Sequence, residues 1–170
     1  MTRLVYLQSP EQYGPVDIGK LQRTLIEAVD GQIRFDAGSR SAYAQDGSNY
    51  RQPPIGVVVP KTADAAVAAV QVCRDFSVPV LSRGCGTSLA GQCCNEAVII
   101  DWTKYCHEVI SVDPGGRTAI VQPGIALDRV NDAVKKYGLM VGPKPSTHVS
   151  CTIGSMIGNN CDGTRISGTT

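Results

Sequence analysis

The chain has 170 residues, of which 42% are hydrophobic and 18% are charged. This composition is typical of one globular domain and unlike that of a disordered chain. No apolar run reaches the length of about 18 residues that spans a membrane, and the N-terminus lacks the apolar core of a secretory signal. The formal net charge is +1 and the sixteen Lys and Arg residues are scattered. We therefore expect no transmembrane segment, no nucleic-acid partner and a cytoplasmic location.

The first half of the chain predicts a helix followed by a βαβ unit. Apolar residues recur at helical spacing over residues 18–29, within an N-terminal lead-in at residues 1–40. A buried strand at 56–59, a helix capped by Thr62 and a second strand at 78–81 come next. A helix that crosses over between two strands makes those strands parallel.

The second half predicts one more buried strand, an antiparallel hairpin and an amphipathic helix. These elements lie at residues 97–101, at 108–112 with 117–121, and at 127–137. The change from a parallel unit to an antiparallel one predicts two small subdomains, residues 41–105 and 106–170. The fold class is therefore α/β, with an α+β character.

A glycine-rich segment directly follows the strand at 78–81. Residues 82–92 read Ser-Arg-Gly-Cys-Gly-Thr-Ser-Leu-Ala-Gly-Gln, and their small side chains let consecutive amide N–H groups face outward as an anion cradle. The spacing matches neither a Walker loop nor the dinucleotide-binding glycine fingerprint. A tight structural turn is the alternative interpretation.

A second glycine-rich segment covers residues 142–163. Gly154, Gly158 and Gly163 allow a flat or bulky group to approach the backbone, and nearby hydroxyl and amide groups can form hydrogen bonds. Taken by itself, this segment could also be only a loop.

Three ordered signatures resemble one family. They are Val-Pro-Val-Leu-Ser-Arg-Gly-Cys-Gly-Thr-Ser-Leu-Ala-Gly at 78–91, Val-Gln-Pro-Gly-Ile at 121–125 and Thr-Ile-Gly-Ser-Met-Ile-Gly-Asn-Asn at 152–160. Together they resemble the FAD-binding domain shared by vanillyl-alcohol oxidase, p-cresol methylhydroxylase, and the D-lactate dehydrogenase and glycolate oxidase flavoproteins. The resemblance implies a p-cresol-methylhydroxylase-type FAD-binding domain of two small α/β subdomains, the second of them incomplete at residue 170.

The resemblance also implies a set of FAD-binding residues and no catalytic residue within this chain. Around the pyrophosphate it places Arg83, Gly84, Cys85, Gly86, Thr87, Ser88, Gly91 and Gln92. Near the flavin it places Ser146, Thr152, Ile153, Gly154, Ser155, Gly158, Asn160 and Gly163. Family members often have glycine where this chain has Cys85 and Ser155. Family members with covalent flavin attach it to a His or Tyr. The first loop contains neither, so the resemblance implies non-covalent FAD.

The implied whole protein is an FAD-linked dehydrogenase or oxidase. It would oxidise a small substrate such as the 2-hydroxy acids D-lactate or glycolate and pass electrons to an acceptor that the sequence does not identify. Similarity to the larger dehydrogenases of this family implies an iron–sulfur cluster in a C-terminal region, and a location in the cytoplasm or peripheral to the inner membrane. The alternative is a non-catalytic nucleotide-binding or regulatory module.

Further expectations concern the isolated chain, its cysteines and His148. Without the rest of the domain it should be inactive and bind FAD weakly or not at all, and it should self-associate through the strand of Ile120 and the helix of Leu127. The seven cysteines, an odd number with poor metal-ligand spacing, are interpreted as free thiols without a bound metal. His148 is interpreted as a solvated or backbone-bound loop residue, with a flavin contact as the alternative.

Overall fold

The computed structural model describes residues 16–161. The helices are α1 (Ile18–Ala28), α2 (Ala37–Ala42), α3 (Ala63–Asp75), α4 (Leu127–Val134) and α5 (Ile153–Gly158). The strands are β1 (Gly31–Arg34), β2 (Gly56–Pro60), β3 (Val80–Arg83), β4 (Val98–Asp101), β5 (Val109–Asp113) and β6 (Thr118–Val121). None of the helices among these residues combines the length and apolar character needed to cross a bilayer.

The larger of the two sheets has four strands in the order β1-β2-β4-β3. β2 and β3 both run parallel to β4, as the βαβ pattern predicts, but β4 lies between them. Every residue of β2 and β4 is buried, which is why these two strands occupy the centre of the sheet. Adjacent pairing of β2 and β3 would leave the apolar residues of β4, Val98–Ile100, at an exposed edge.

Helices α1 and α3 cover one face of this sheet. Leu21 and Leu25 of α1 pack with Ala69 and Cys73 of α3 in the main hydrophobic core. The capping residue predicted for α3 is present, because the Thr62 side chain accepts a hydrogen bond from the backbone N–H of Ala65 at 3.1 Å. β1 and α2 are additional elements that the sequence patterns did not indicate.

The predicted antiparallel hairpin is confirmed as β5–β6. Ile110 and Ile120 lie on its open face and are 63% and 61% exposed. The expectation of an exposed apolar face on the following helix is wrong for α4, because Leu127, Val130 and Val134 are all buried. A short 3-10 turn continues α4 as far as Tyr137.

Helix α5 lies in the second glycine-rich segment, which reads as a loop from sequence. Glycines at positions 154 and 158 lower the intrinsic helix propensity. Thr152 compensates as N-cap, since its hydroxyl and that of Ser155 form a reciprocal capping box. Residues 153–158 of this segment are therefore held in about one and a half turns of helix.

Candidate functional site

The two glycine-rich segments of the sequence line one cavity of about 380 Å³. The glycine-rich loop, residues 82–92, forms one side, and α5 forms the other. Small-molecule sites typically have volumes of about 300 to 1,000 Å³. The lining residues are Ser82, Gly84, Ser88, Gln92, Cys93, Trp102, Pro123, Thr152, Gly154, Ser155, Gly158 and Asn159.

The glycine-rich loop offers a run of free backbone donors. Gly86 and Gly91 adopt positive φ angles of 70° and 78° and turn the chain after β3. Within residues 16–161, the backbone N–H groups of residues 84–89 donate no hydrogen bond to a protein acceptor. Consecutive N–H groups that face outward form a concave surface suited to anionic oxygens.

Arg83 holds this loop from within the protein. Its side chain is 8% exposed, donates through Nη1 to the carbonyl of Cys93 and through Nη2 to the carbonyl of Gln45, both at 2.8 Å, and stacks over the Tyr43 ring. A Cβ on Gly86 would lie 2.4 Å from Nη2. The loop therefore wraps closely over the guanidinium, and the charge of Arg83 is used inside the fold.

A close approach between Gly84 and Thr152 joins the two sides of the cavity. A Cβ on Gly84 would lie 2.2 Å from Thr152 Oγ1, so a side chain there would separate the loop from α5. Thr152 Oγ1 lies 2.8 Å from Ser155 Oγ, which gives the serine hydroxyl a structural partner. The backbone N–H of Gly154 donates to the carbonyl of Pro123 at 2.9 Å and fixes the start of α5.

The structure brings seven of the predicted binding residues to the cavity and leaves others outside its lining. Those in the lining are Gly84, Ser88, Gln92, Thr152, Gly154, Ser155 and Gly158. Those outside it are Arg83, Cys85, Gly86, Thr87, Gly91, Ser146, Ile153 and Asn160. Gly163 lies outside the described residues.

Five lining residues were not predicted as part of the site. They are Ser82, Cys93, Trp102, Pro123 and Asn159. Pro123 belongs to a family signature and could have been included on that ground, whereas Trp102 follows a strand with no local signal of a binding role. The thiol of Cys93 is buried and its Sγ lies 3.2 Å from Ser88 Oγ.

The cavity is neutral, and its donors are hydroxyl, amide and backbone groups. Among the described residues that line it, none carries a charged side chain. Tyr43, which stacks with Arg83, has its pKa raised by burial and by its hydrogen bond to Asp101. Burial also raises the pKa of the Cys85 thiol, with a smaller contribution from the Asp101 carboxylate. Both groups therefore stay protonated at neutral pH.

His148 and the cysteines lie apart from any metal-binding arrangement. His148 Nδ1 is 2.8 Å from Asp128 Oδ2, so the interpretation of a solvated or backbone-bound histidine is wrong. All seven cysteines fall within the described residues, where they are unpaired thiols. No group of three or more His, Cys, Asp or Glu side chains in residues 16–161 has the geometry to hold a metal ion.

Comparison of the sequence with known families identifies one kind of domain. A family described as an FAD binding domain matches residues 54–169, which include both segments that line the cavity. The chain belongs to this FAD-binding domain family. The FAD-binding domain is also similar to parts of longer proteins that are named as an oxidase subunit and as a dehydrogenase.

Two relatives illustrate that similarity. The glycolate oxidase subunit GlcD of Escherichia coli K12 is 36% identical over 124 residues, which are 71% of this chain and 25% of that protein. The mitochondrial D-lactate dehydrogenase [cytochrome] 1 of Saccharomyces cerevisiae is 27% identical over 176 residues, covering 96% of this chain and 30% of that protein. The chain thus spans less than a third of the length of these relatives.

Solved structures confirm the fold class. Alkyldihydroxyacetonephosphate synthase superposes with a TM-score of 0.77 at 20% identity, over 92% of this chain and 35% of that one. p-Cresol methylhydroxylase superposes with a TM-score of 0.68 at 17% identity, over 83% of this chain and 29% of that one. The FAD-binding domain therefore has the α/β fold that the sequence signatures imply.

The residues at the cavity fit the chemistry of FAD. The free N–H groups of residues 84–89 and the hydroxyl of Ser88 can donate to a pyrophosphate. The absence of carboxylates among the described lining residues avoids repulsion of that anion. Gly158, where an added Cβ would meet no heavy atom within 4 Å, leaves room beside α5 for a flat ring.

Proposed function

We propose that the FAD-binding domain holds FAD non-covalently in the cavity between the glycine-rich loop and α5. The observation that carries this proposal is the shared cavity, which brings Gly84 and Ser88, two residues of the loop with free amides, to the hydroxyl-rich start of α5. Charge-assisted hydrogen bonds from such amides are the usual protein contacts of a pyrophosphate.

The residues take different roles in this proposal. Gly84, Cys85, Gly86, Thr87 and Ser88 surround the pyrophosphate, and Gly91 and Gln92 complete that side. Arg83 supports the loop from inside through its two carbonyl contacts. Thr152, Gly154, Ser155 and Gly158 approach the flavin, while Ser146, Ile153, Asn160 and Gly163 surround the part of the cofactor that extends beyond the cavity.

Non-covalent binding is supported by the side chains near the loop. Residues 82–92 contain neither His nor Tyr, and the raised pKa of Cys85 keeps its thiol protonated. His148 is paired with Asp128 in the second subdomain. Acid precipitation of the FAD-loaded protein should release the flavin into the supernatant, whereas flavin that stays in the precipitate would contradict this part of the proposal.

For the whole protein we propose a flavin-dependent oxidoreductase that oxidises a small 2-hydroxy acid. Glycolate and D-lactate, named in the two relatives, are both of this class. Bound FAD would supply the acceptor for the two electrons, while this domain binds and orients it. We further propose the two subdomains at 41–105 and 106–170, an electron acceptor downstream, an iron–sulfur cluster outside this chain and a location in the cytoplasm or peripheral to the inner membrane.

Anaerobic flavin bleaching tests the proposed activity. The whole protein is loaded with FAD and mixed with D-lactate, glycolate or L-lactate, and absorbance of the oxidised flavin is followed. Bleaching by a 2-hydroxy acid, with discrimination between the lactate enantiomers, is expected. An FAD-loaded protein that no 2-hydroxy acid bleaches would contradict the substrate class and leave the FAD site intact.

A further inference from the structure

The segment after β4 places one aromatic residue in the wall of the cavity. Trp102 directly follows Asp101, and its backbone N–H donates to the carbonyl of Arg83 at 3.3 Å. Its own carbonyl accepts from the N–H of Cys106 at 3.2 Å. A Cβ on Gly124 would lie 2.1 Å from the same carbonyl oxygen, so the Trp102 backbone is held tightly between two chain segments.

The Trp102 side chain is also fixed. Its indole Nε1 donates to Ser82 Oγ at 2.7 Å, and the half-buried ring packs in part against the main core. Ser82 is the second-last residue of β3 and lies two residues before Gly84, where the run of free amides begins. The indole therefore has one orientation, and both it and Ser82 line the cavity.

Trp102 is the one aromatic residue among the described residues that line this cavity. The remaining lining consists of glycines, hydroxyls, amides, one proline and one thiol, none of which offers a ring face. FAD carries two flat aromatic ring systems joined through its pyrophosphate. Aromatic rings pack favourably on an indole in offset or edge-on geometry.

We propose that Trp102 is a cofactor-contact residue whose indole packs against an aromatic ring of bound FAD, with Ser82 holding the indole in place. This inference rests on the proposed FAD site. Trp102 lies outside both glycine-rich segments. Its indole and the free amides of the glycine-rich loop are therefore expected to contact the aromatic and the pyrophosphate parts of the same FAD molecule.

The test uses the 170-residue chain and its single tryptophan. The indole N–H of Trp102 is the one tryptophan side-chain resonance in a proton–nitrogen NMR spectrum. FAD, FMN and ADP are titrated separately, and FAD affinity is measured in parallel by flavin fluorescence anisotropy. The variants are Trp102→Leu, Trp102→Phe and Ser82→Ala, and the control is Tyr137→Leu, an exposed aromatic residue outside this lining.

We expect the indole resonance to shift saturably with the same midpoint as FAD binding. Trp102→Leu should weaken FAD binding about tenfold, a loss equivalent to one aromatic contact. Trp102→Phe and Ser82→Ala should have smaller effects, and Tyr137→Leu none. A shift with FMN places the flavin ring on Trp102, and a shift with ADP places the adenine ring there.

The two proposals fail in distinguishable ways. Saturable FAD binding with an unmoved indole resonance, and equal affinity in Trp102→Leu, would overturn the role of Trp102 and leave the FAD site standing. Should the 170-residue chain bind no FAD, the same titration is made with the whole protein, and a whole protein that binds no FAD would overturn both. Should Trp102→Leu not fold, the indole titration of the unmodified chain decides the question without a variant.

Discussion

Arg83 donates a hydrogen bond from Nη1 to the backbone carbonyl of Cys93 at 2.8 Å, and this contact closes the glycine-rich loop from inside the protein. Resemblance places Arg83 beside the pyrophosphate, where its charge would act directly. In the structure the guanidinium is buried, bound to two carbonyls and absent from the cavity lining. Arg83 therefore organises the loop amides without being exposed to the cavity.

Replacing Arg83 should destabilise the fold. Arg83→Gln should lower the free energy of unfolding by about 3 kcal/mol, because two carbonyls lose their donor in a buried setting. Arg83→Lys should recover only part of this, since an ammonium group lacks the planar fork that reaches both acceptors. Urea unfolding followed by circular dichroism measures the effect.

Arg74→Gln is the matched control for this prediction. The Arg74 side chain is 76% exposed and pairs only with Asp75 at the end of α3, so its loss should change the free energy of unfolding by less than about 0.5 kcal/mol. Equal unfolding midpoints for the Arg83→Gln and Arg74→Gln variants would show that the buried contacts of Arg83 do not hold the loop.

The approach of Gly84 to Thr152 predicts coupling between two substitutions. Gly84→Ala should destabilise the protein by pressing a methyl group against Thr152 Oγ1. Thr152→Ala should cost about 1 kcal/mol through loss of the α5 cap. In the double variant the obstructing oxygen is gone, so the combined loss should be smaller than the sum of the single losses. Strict additivity in urea unfolding would argue against the contact.

Alanine substitutions at two glycines test whether FAD occupies the cavity. A Cβ on Gly158 or on Gly142 would meet no heavy atom within 4 Å, but only Gly158 lines the cavity. Gly158→Ala should therefore weaken FAD binding about fivefold or more, as an added methyl group crowds the ligand. Gly142→Ala should bind FAD normally. Both affinities are measured by flavin fluorescence anisotropy, and equal weakening in the two variants would exclude a cavity-specific effect.

Stability should fall at alkaline pH through Cys73. Burial raises the pKa of this thiol from 9.0 to about 11, so the folded state keeps its proton while the unfolded chain loses it. The stabilisation is complete below the unfolded pKa and is lost as pH rises through the folded pKa. At about pH 10.5 the loss should approach 2 kcal/mol.

Cys73→Ala isolates this contribution. The variant should be less stable than the unmodified chain at neutral pH, because a small cavity is left in the core. Its free energy of unfolding should nevertheless decline less steeply between about pH 8 and pH 10.5. Parallel pH profiles for the two proteins would assign the alkaline loss to other groups.

Much of the fold follows from local patterns. The periodic apolar residues of α1 and the apolar runs of β2 and β4 define those elements, since most of the side chains that these patterns mark are buried. The apolar stripe predicted for α3 is only half right, because Ala66 and Cys73 are buried whereas Val67 and Val70 are exposed. β1 could not be found in this way. Its four residues include the polar Gln32 and Arg34, and it becomes a strand through antiparallel pairing with β2.

In the candidate site, too, some residues are indicated by the local sequence and others are placed only by tertiary contacts. Backbone donors and glycines lie in contiguous segments, so the sequence indicates them directly. Trp102 and Pro123 reach the cavity through the contact of Gly124 with the Trp102 carbonyl and the hydrogen bond from Gly154 to Pro123. The inward orientation of Arg83 likewise depends on its carbonyl partners, one of which, Gln45, is far away in the chain.

The central claim is that the FAD-binding domain holds the pyrophosphate of FAD on the amides of its glycine-rich loop. Because only a few charge-assisted hydrogen bonds are involved, we expect the 170-residue chain to bind FAD with a dissociation constant of about 1 μM or weaker. Backbone amide resonances, followed by NMR during an FAD titration, remain informative at such affinity. Saturable shifts at Gly84, Gly86, Ser88 and Gly154, with Gly115 of the β5–β6 turn unmoved, are predicted. A folded chain that binds FAD while its loop amides do not shift, or shift no more than Gly115, would contradict the account.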